Sequence, residues 1–348
     1  MPIETAGVSQ VDKSFEREVK SFKEYIEKVK SDLDLFDEKN GSREERISNI
    51  EKLKIGLFEE IGKHFNKVWE RVKQLDKNSY AKYRKYFQDR LLPFFGYPEI
   101  NHHIYSKPLG YAGDFITMNY IYDFHDKHLG NSSFEILINM LTCNIPISRS
   151  NIKRREHLRQ IIKDAYVKHG DEIKIASIAS GSARELLGML ENKELPRSID
   201  FVCFDFESKA LEYVKENVSR IYGSDKSDNI KLIKSNIVDL ARKPEIKNVL
   251  NGRDLIYAFG IYDYLSDMLA KRITKILFEC LNPGGHLVVC NASASKSDQR
   301  AYYEFLGEWE MIYRTNEELV RFSDGLAARS ISLKDDPDDC YIYLTISK

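Results

Sequence analysis

The chain has 348 residues, with 53 lysines and arginines against 54 aspartates and glutamates and a formal net charge of −1. That length accommodates one large or two modest domains, and the balanced charge lacks the basic excess that advertises nucleic acid. Cys143, Cys203, Cys280, Cys290 and Cys340 show no CxxC or metal spacing, no apolar run reaches the roughly 18 residues of a membrane span, and no basic-then-apolar leader opens the chain. The expectation is a cytoplasmic, reduced protein without a membrane span.

Residues 1–12 read as a disordered arm. From Phe15 the apolar positions are Phe15, Val19, Phe22, Ile26, Val29, Leu33 and Phe36, a heptad seam on a highly charged helix. Such a seam suits either a helix packed on its own domain or a homodimer. Asn40-Gly-Ser42 breaks the helix. A second helix spans about Arg43 to Leu75, with Ile47, Ile50, Leu57, Ile61, Val68 and Val72 inward. A third, near Ser79–Leu92, interleaves Tyr80, Tyr83 and Phe87 with Lys82, Arg84, Lys85 and Arg90. That pattern reads as an aromatic core face with a solvated basic face, the alternative being a surface that stacks on nucleic acid.

Residues 93–114 change texture. Pro93, Gly96, Pro98, Pro108, Gly110 and Gly113 exclude a long helix, and irregular segments rich in aromatic and polar groups are where binding residues often sit. His102 and His103 lack a third ligand for a metal site. Asp114 is placed to cap the next helix, which carries Phe115, Met118 and Tyr122.

The second part of the chain alternates strands and helices. Ile173–Ile178 is an apolar strand, Ala179-Ser-Gly-Ser-Ala183 a small-residue turn, and Arg184–Leu190 a helix with Leu186, Leu187 and Leu190 on one face. Strand, tight turn and helix open a nucleotide-binding α/β unit. Ile199–Asp205 is a second strand ending in an acid about 24 residues after Gly181, where a ribose-binding carboxylate belongs. Ile230–Ser235 and Asp254–Phe259 are further strands, the latter running into Gly260-Ile-Tyr-Asp-Tyr-Leu265. Asn282-Pro-Gly-Gly285 turns the chain into His286–Asn291. Ala328–Leu333 and Cys340–Ile346 flank an acidic turn as a terminal hairpin.

Five βα units closed by a hairpin, with Asn282-Pro-Gly-Gly285 before an apolar strand, resemble the class I S-adenosylmethionine-dependent methyltransferases over about residues 150–348. The resemblance implies a seven-stranded sheet of order 3-2-1-4-5-7-6 with the seventh strand antiparallel. It also implies S-adenosylmethionine as cofactor. Lys107-Pro-Leu-Gly-Tyr-Ala-Gly-Asp114, Met118–Tyr122, Gly260–Leu265 and Trp309–Thr315 are similar to a bacterial subgroup that includes enzymes of 3-hydroxypalmitic acid methyl ester biosynthesis. This implies a small-molecule acid, such as a hydroxy fatty acid, as methyl acceptor. The chain departs from the superfamily's first motif. Ala179, Gly181 and Ala183 stand where three glycines are usual, and Ser177 stands where strand one usually bears an acid. Alanine there is compatible with a negative φ, and Glu185 is the candidate replacement for the acid.

The expected organisation is a helical region, 1–145, whose segment 93–125 acts as an active-site lid, followed by a methyltransferase domain, 146–348. Expected cofactor contacts are Ala179, Ser180, Gly181, Glu185, Asp205, Phe206, Asn236, Ile237, Phe259 and Gly260, with Asp114 either reaching the cofactor ammonium or capping its helix. Tyr111, Tyr262 and Asp263 are the catalytic candidates, and Tyr120 and Arg154 are further orienting donors, Arg154 reading as a solvated helix position. A carboxylate acceptor needs no general base because it is already ionised at neutral pH, and the sequence offers no evident base for a hydroxyl. Alternative readings are a methyltransferase of protein or nucleic acid, and a non-catalytic cofactor-binding dimeric scaffold.

Overall fold

The computed structural model describes residues 11–39, 41–196, 198–223, 229–295 and 300–348. The predicted arm falls largely outside the described residues, as does Asn40. Two compact units emerge, Met1–Ser148 with Ser297–Glu310, and Arg149–Lys296 with Met311–Lys348. The second unit is therefore interrupted between Lys296 and Met311.

The first unit is helical. It comprises α1 (Lys13–Lys39), α2 (Arg43–Val72), α3 (Lys77–Phe95), α4 (Glu99–Ser106), α5 (Phe115–Phe124) and α6 (Ser133–Asn144). The heptad seam of α1 is spent inside this unit. Phe15, Val19, Phe22 and Ile26 are fully buried, and α1 packs on α2, α3 and α6. Phe22 meets Phe65 edge-to-face at 4.8 Å and stacks on His64 at 4.9 Å. Of the two readings of the seam, these contacts support the internal one. Local signals place the ends of α2 and α3. Ser42 and Glu45 form a reciprocal capping box for α2, and Asp76 caps α3 through Asn78 and Ser79 N–H.

Residues 301–306 enter this unit's core as a wide π-type turn that buries Tyr302, Tyr303, Phe305 and Leu306. Tyr302 meets Phe65 edge-to-face at 4.9 Å. Three basic residues of α3 have local partners: Arg84 pairs with Glu310, Lys85 with Asp89 at 2.9 Å, and the Arg90 guanidinium lies 3.4 Å over the Tyr86 ring.

The second unit holds one seven-stranded sheet of order β3-β2-β1-β4-β5-β7-β6. Its strands are β1 (Lys174–Ile178), β2 (Asp200–Asp205), β3 (Ile230–Lys234), β4 (Arg253–Ala258), β5 (Leu281–Ala292), β6 (Ser330–Asp335) and β7 (Tyr341–Ser347). The first five pair in parallel and β7 runs antiparallel between β5 and β6. This is the class I methyltransferase fold. β5 is longer than expected because Asn282–Gly285 remains within the strand, with a register shift against β4. The remaining helices are α7 (Pro146–His169), which enters this unit at Arg149, then α8 (Arg184–Glu191), α9 (Ser208–Tyr222), α10 (Pro244–Leu250), α11 (Asp267–Glu279) and α12 (Asn316–Val320).

Two apolar layers cover the sheet. The period of two in β4 shows how: Ile256 and Ala258 face the α11 side with Ile273 and Leu277, whereas Leu255 and Tyr257 face the α7–α9 side with Leu158, Leu186 and Val214. All five cysteines are buried. No helix among the described residues is long and apolar enough to cross a membrane.

Candidate functional site

In an open parallel sheet, ligands settle beyond the carboxyl ends of the strands, where the strand order reverses. Here the reversal lies between β1 and β4, and the expected cofactor residues follow the ends of the neighbouring strands β3, β2, β1 and β4. The second unit thus brings Ala179–Gly181, Asp205, Phe206, Asn236, Ile237, Phe259 and Gly260 to one edge.

The turn after β1 is held by two backbone bonds, Ser180 N–H to Phe204 O at 3.1 Å and Ala183 N–H to Ser180 O at 2.9 Å. It passes through the left-handed region at Ala179 (φ 54°), Gly181 (φ 51°) and Ala183 (φ 43°). The expectation that alanine marks a negative φ is therefore corrected. The chain keeps the left-handed backbone and tolerates a Cβ in it, at about 1–2 kcal/mol per residue. Such strain persists only where the surroundings fix the backbone, and it concentrates at functional sites.

Asp205 ends β2 almost fully buried. One carboxylate oxygen accepts from Gly181 N–H at 2.8 Å and the other from Glu207 N–H at 2.9 Å. Burial raises its pKa, against the opposing pull of those N–H groups. A carboxylate has about four acceptor sites, so beside the N–H groups of Gly181, Glu207 and Phe206 it can still take a ligand hydroxyl. Beside it Phe206 is about half exposed, at 47%. Asn236 is exposed and caps the short turn Ile237–Ala241 through Val238 N–H. Ile237 is half-buried against the α11-side core. Phe259 stacks on Tyr343 at 5.6 Å, and Gly260 adopts φ 93°.

On the α7–α9 side, Glu185 is buried in the first turn of α8 and its Oε1 accepts from the Tyr257 hydroxyl at 2.7 Å. Ser177 pairs with Tyr257 in the β1–β4 register. Glu185 is therefore held beside the strand position that lacks an acid. Burial raises its pKa, while the Tyr257 bond and the charges of Arg155 and Arg154 act the other way.

Arg154 is not solvated. It is 6% exposed, its guanidinium lies 4.5 Å over the Tyr341 ring, and a Cβ built on Gly260 would stand 3.8 Å from its Nη2. Helix position alone gave no sign of this, because β7 supplies the ring that covers it.

Two catalytic candidates face inward. Tyr262 is fully buried among Ala258, Ile273 and Leu319, and its hydroxyl meets Thr274 Oγ1 at 2.8 Å, so it has no surface to offer an acceptor. Asp263 is 2% exposed and accepts from Ala292 N–H at 2.6 Å. It ties the β4 loop to the end of β5, and it neither caps α11 nor presents its carboxylate outward. Burial pushes its pKa up to about 6, opposed by the Ala292 bond and by Arg154 and Arg314.

Arg314, absent from the sequence-based set except within the Trp309–Thr315 motif, anchors the same loop. It is buried and donates to Tyr262 O, Leu265 O, Asn291 Oδ1 and Asp267 Oδ1 at 2.5–3.0 Å.

In the helical unit Tyr111 is half-buried. Asp114 caps α5 through Thr117 N–H at 2.7 Å and meets His103 Nε2 at 2.9 and 3.0 Å. The capping alternative for Asp114 is thus realised, with both oxygens engaged inside that unit. Tyr120 donates to Glu99 at 2.9 Å. Among the described residues no group of three or more His, Cys, Asp or Glu side chains is placed to hold a metal ion.

No protein-family model matches the chain, and no curated protein matches it. Solved structures do, at low identity. A Bordetella parapertussis protein described as a possible exported protein superposes with a TM-score of 0.54 at 16% identity, over 72% of this chain and 86% of that one. The magnesium protoporphyrin IX methyltransferase of Synechocystis, solved with S-adenosylmethionine bound, gives 0.42 at 6% identity, over 59% and 84%. The N-methyltransferase NodS of Bradyrhizobium japonicum, in complex with S-adenosyl-L-homocysteine, gives 0.40 at 14% identity, over 59% and 89%. The likeness is one of fold.

Proposed function

We propose that the second unit binds S-adenosylmethionine along the ends of β3, β2, β1 and β4, and that the protein transfers a methyl group to a small-molecule carboxylate. The observation that carries this reading is the Asp205–Gly181 bond, which locks the acid ending β2 to the small-residue turn of β1. An acid so placed suits a ribose diol, and the turn lets a ligand approach the backbone closely. Phe206 would lie against the adenine ring, with Asn236 and Ile237 bordering it. The cofactor would supply an electrophilic methyl on a sulfonium. The protein's own task is to position donor and acceptor and to limit water.

The acceptor class rests on two supports. The motifs at Lys107–Asp114, Gly260–Leu265 and Trp309–Thr315 resemble a broad bacterial subgroup that includes enzymes of 3-hydroxypalmitic acid methyl ester biosynthesis. With Tyr262 and Asp263 turned inward, neither serves as a base at the end of β4, which suits an acceptor that is ionised beforehand. The test is calorimetric titration of S-adenosylhomocysteine into wild type and Asp205→Ala, alongside transfer of labelled methyl to 3-hydroxy fatty acids and to the matching fatty alcohols. The variant is expected to lose about 1.5–3 kcal/mol of affinity, and label to enter the acids alone. Unchanged affinity in a folded variant refutes the cofactor site. Label in the alcohols refutes the carboxylate assignment, and binding without transfer to any acceptor favours a scaffold.

A further inference from the structure

A sulfonium cofactor of this kind ends in an amino acid, carrying an ammonium and a carboxylate on one carbon. The usual acid on strand one is replaced here by Ser177, itself buried. Two oppositely charged side chains occupy the neighbourhood instead. Glu185 reaches the top of β1 and β4 from α8 and is oriented by the Tyr257 hydroxyl. Arg154 comes from α7 and is braced by the Tyr341 ring, with its two terminal nitrogens 3.8 and 4.0 Å from where a Cβ on Gly260 would stand. Gly260 lies two residues beyond β4, so the guanidinium stands near the carboxyl end of that strand. Both residues are more than nine-tenths buried. The Arg154 charge acts on both Glu185 and Asp263.

We propose that Glu185 and Arg154 form a clamp for a zwitterion, Glu185 receiving the ligand's ammonium and Arg154 its carboxylate. This rests on the cofactor reading above and assigns the part of it that the first motif leaves open. A planar guanidinium held on an aromatic face presents its edge to a carboxylate in a fixed direction. Tyr257 orients Glu185 by donating to its Oε1 at 2.7 Å, and the carboxylate's remaining acceptor sites, beside its own backbone N–H, can take the ammonium. Gly260, lacking a side chain, leaves the approach to Arg154 open.

The clamp is tested by binding alone, with two nucleosides that share adenine and ribose and differ in the amino-acid portion. These are S-adenosylhomocysteine, which has it, and 5′-methylthioadenosine, which lacks it. Wild-type full-length protein should bind the first about a hundredfold more tightly than the second, a difference of about 2.7 kcal/mol. Arg154→Met and Glu185→Gln should each weaken S-adenosylhomocysteine about tenfold or more and leave methylthioadenosine within about twofold. Asp205→Ala should weaken both, because the ribose is common to both. If Arg154→Met does not fold, Arg154→Lys keeps the charge and loses the fork, and Glu185→Gln keeps the shape, so the selective loss is still read. Equal affinity of wild type for the two nucleosides, or a variant that loses both equally, overturns the clamp alone. Failure of wild type to bind either one overturns the cofactor reading itself.

Discussion

The indole of Trp309 lies against Gly113 so closely that a Cβ added there would stand 2.4 Å from Cζ2 and 2.7 Å from Cε2. Gly113 also has φ 70°, so a side chain meets backbone strain and a ring at once. Gly113→Ala is expected to lower unfolding free energy by about 2–4 kcal/mol, the sum of a left-handed alanine and an overpacked contact. In a Trp309→Phe background the clash with the outer ring disappears, and the same substitution should cost at least about 1 kcal/mol less. Urea unfolding of the four proteins measures the coupling. Strict additivity, to within about 0.5 kcal/mol, would show that the contact is not responsible.

Ala179 and Ala183 carry the opposite expectation. Both sit at positive φ with a Cβ already present. Replacing either by glycine relieves about 1–2 kcal/mol of strain but adds about 0.4–1 kcal/mol of unfolded-chain entropy. Ala179→Gly should therefore stabilise the protein by about 0.5–1 kcal/mol, whereas Ala183→Gly also loses a methyl packed in the core, worth about 0.8 kcal/mol, and should be nearly neutral. A lower urea midpoint for Ala179→Gly would refute a left-handed backbone at that residue.

How the sequence foreshadowed this molecule depends on the range of each signal. β1, β2 and β4 were legible because apolar, β-branched runs of strand length are bounded by small or polar turns, and the acid ending β2 has a defined spacing from Gly181. The seam of α1 was legible as a stripe but silent about its partner, since the heptad code is the same for an internal and an external neighbour. Arg154 was misread because the ring beneath it, Tyr341, lies far along the chain. Tyr262 and Asp263 occupy the right loop, yet their side-chain directions are set by Thr274 and Ala292, which no local pattern reveals. The left-handed alanines contradict local preference, so residue type alone concealed them.

Phe22 tests the internal packing of α1. It is fully buried and contacts Phe65, His64, Phe87 and Phe95. Phe22→Ala is expected to cost about 3–5 kcal/mol, and removal of residues 1–39 should lower the melting temperature with no halving of the mass seen by light scattering. A dimer seam would give the reverse, a halved mass with the remaining fold nearly as stable as before.

Asp263 makes a prediction about pH whose sign is fixed by its burial. Its carboxyl titrates near 6 in the folded protein against an ordinary 3.8, so between those values the folded chain holds a proton that the unfolded chain has released. Stability from this group is therefore complete below about pH 4 and falls as pH rises through about 6, by about 3 kcal/mol in all. The amide introduced by Asp263→Asn matches the protonated acid in shape and still accepts from Ala292 N–H, but it cannot ionise. The difference in unfolding free energy between Asp263→Asn and wild type should then move in the variant's favour by up to that amount between about pH 4 and about pH 7.5. Reading the variant against wild type at each pH cancels the other titrating groups, among them Glu185 and Asp205, whose pKa values are raised in the same direction. Parallel stability curves for the two proteins across that range would mean that Asp263 is not the buried, shifted carboxyl described, and that its tie to β5 is made in the ionised form at no cost.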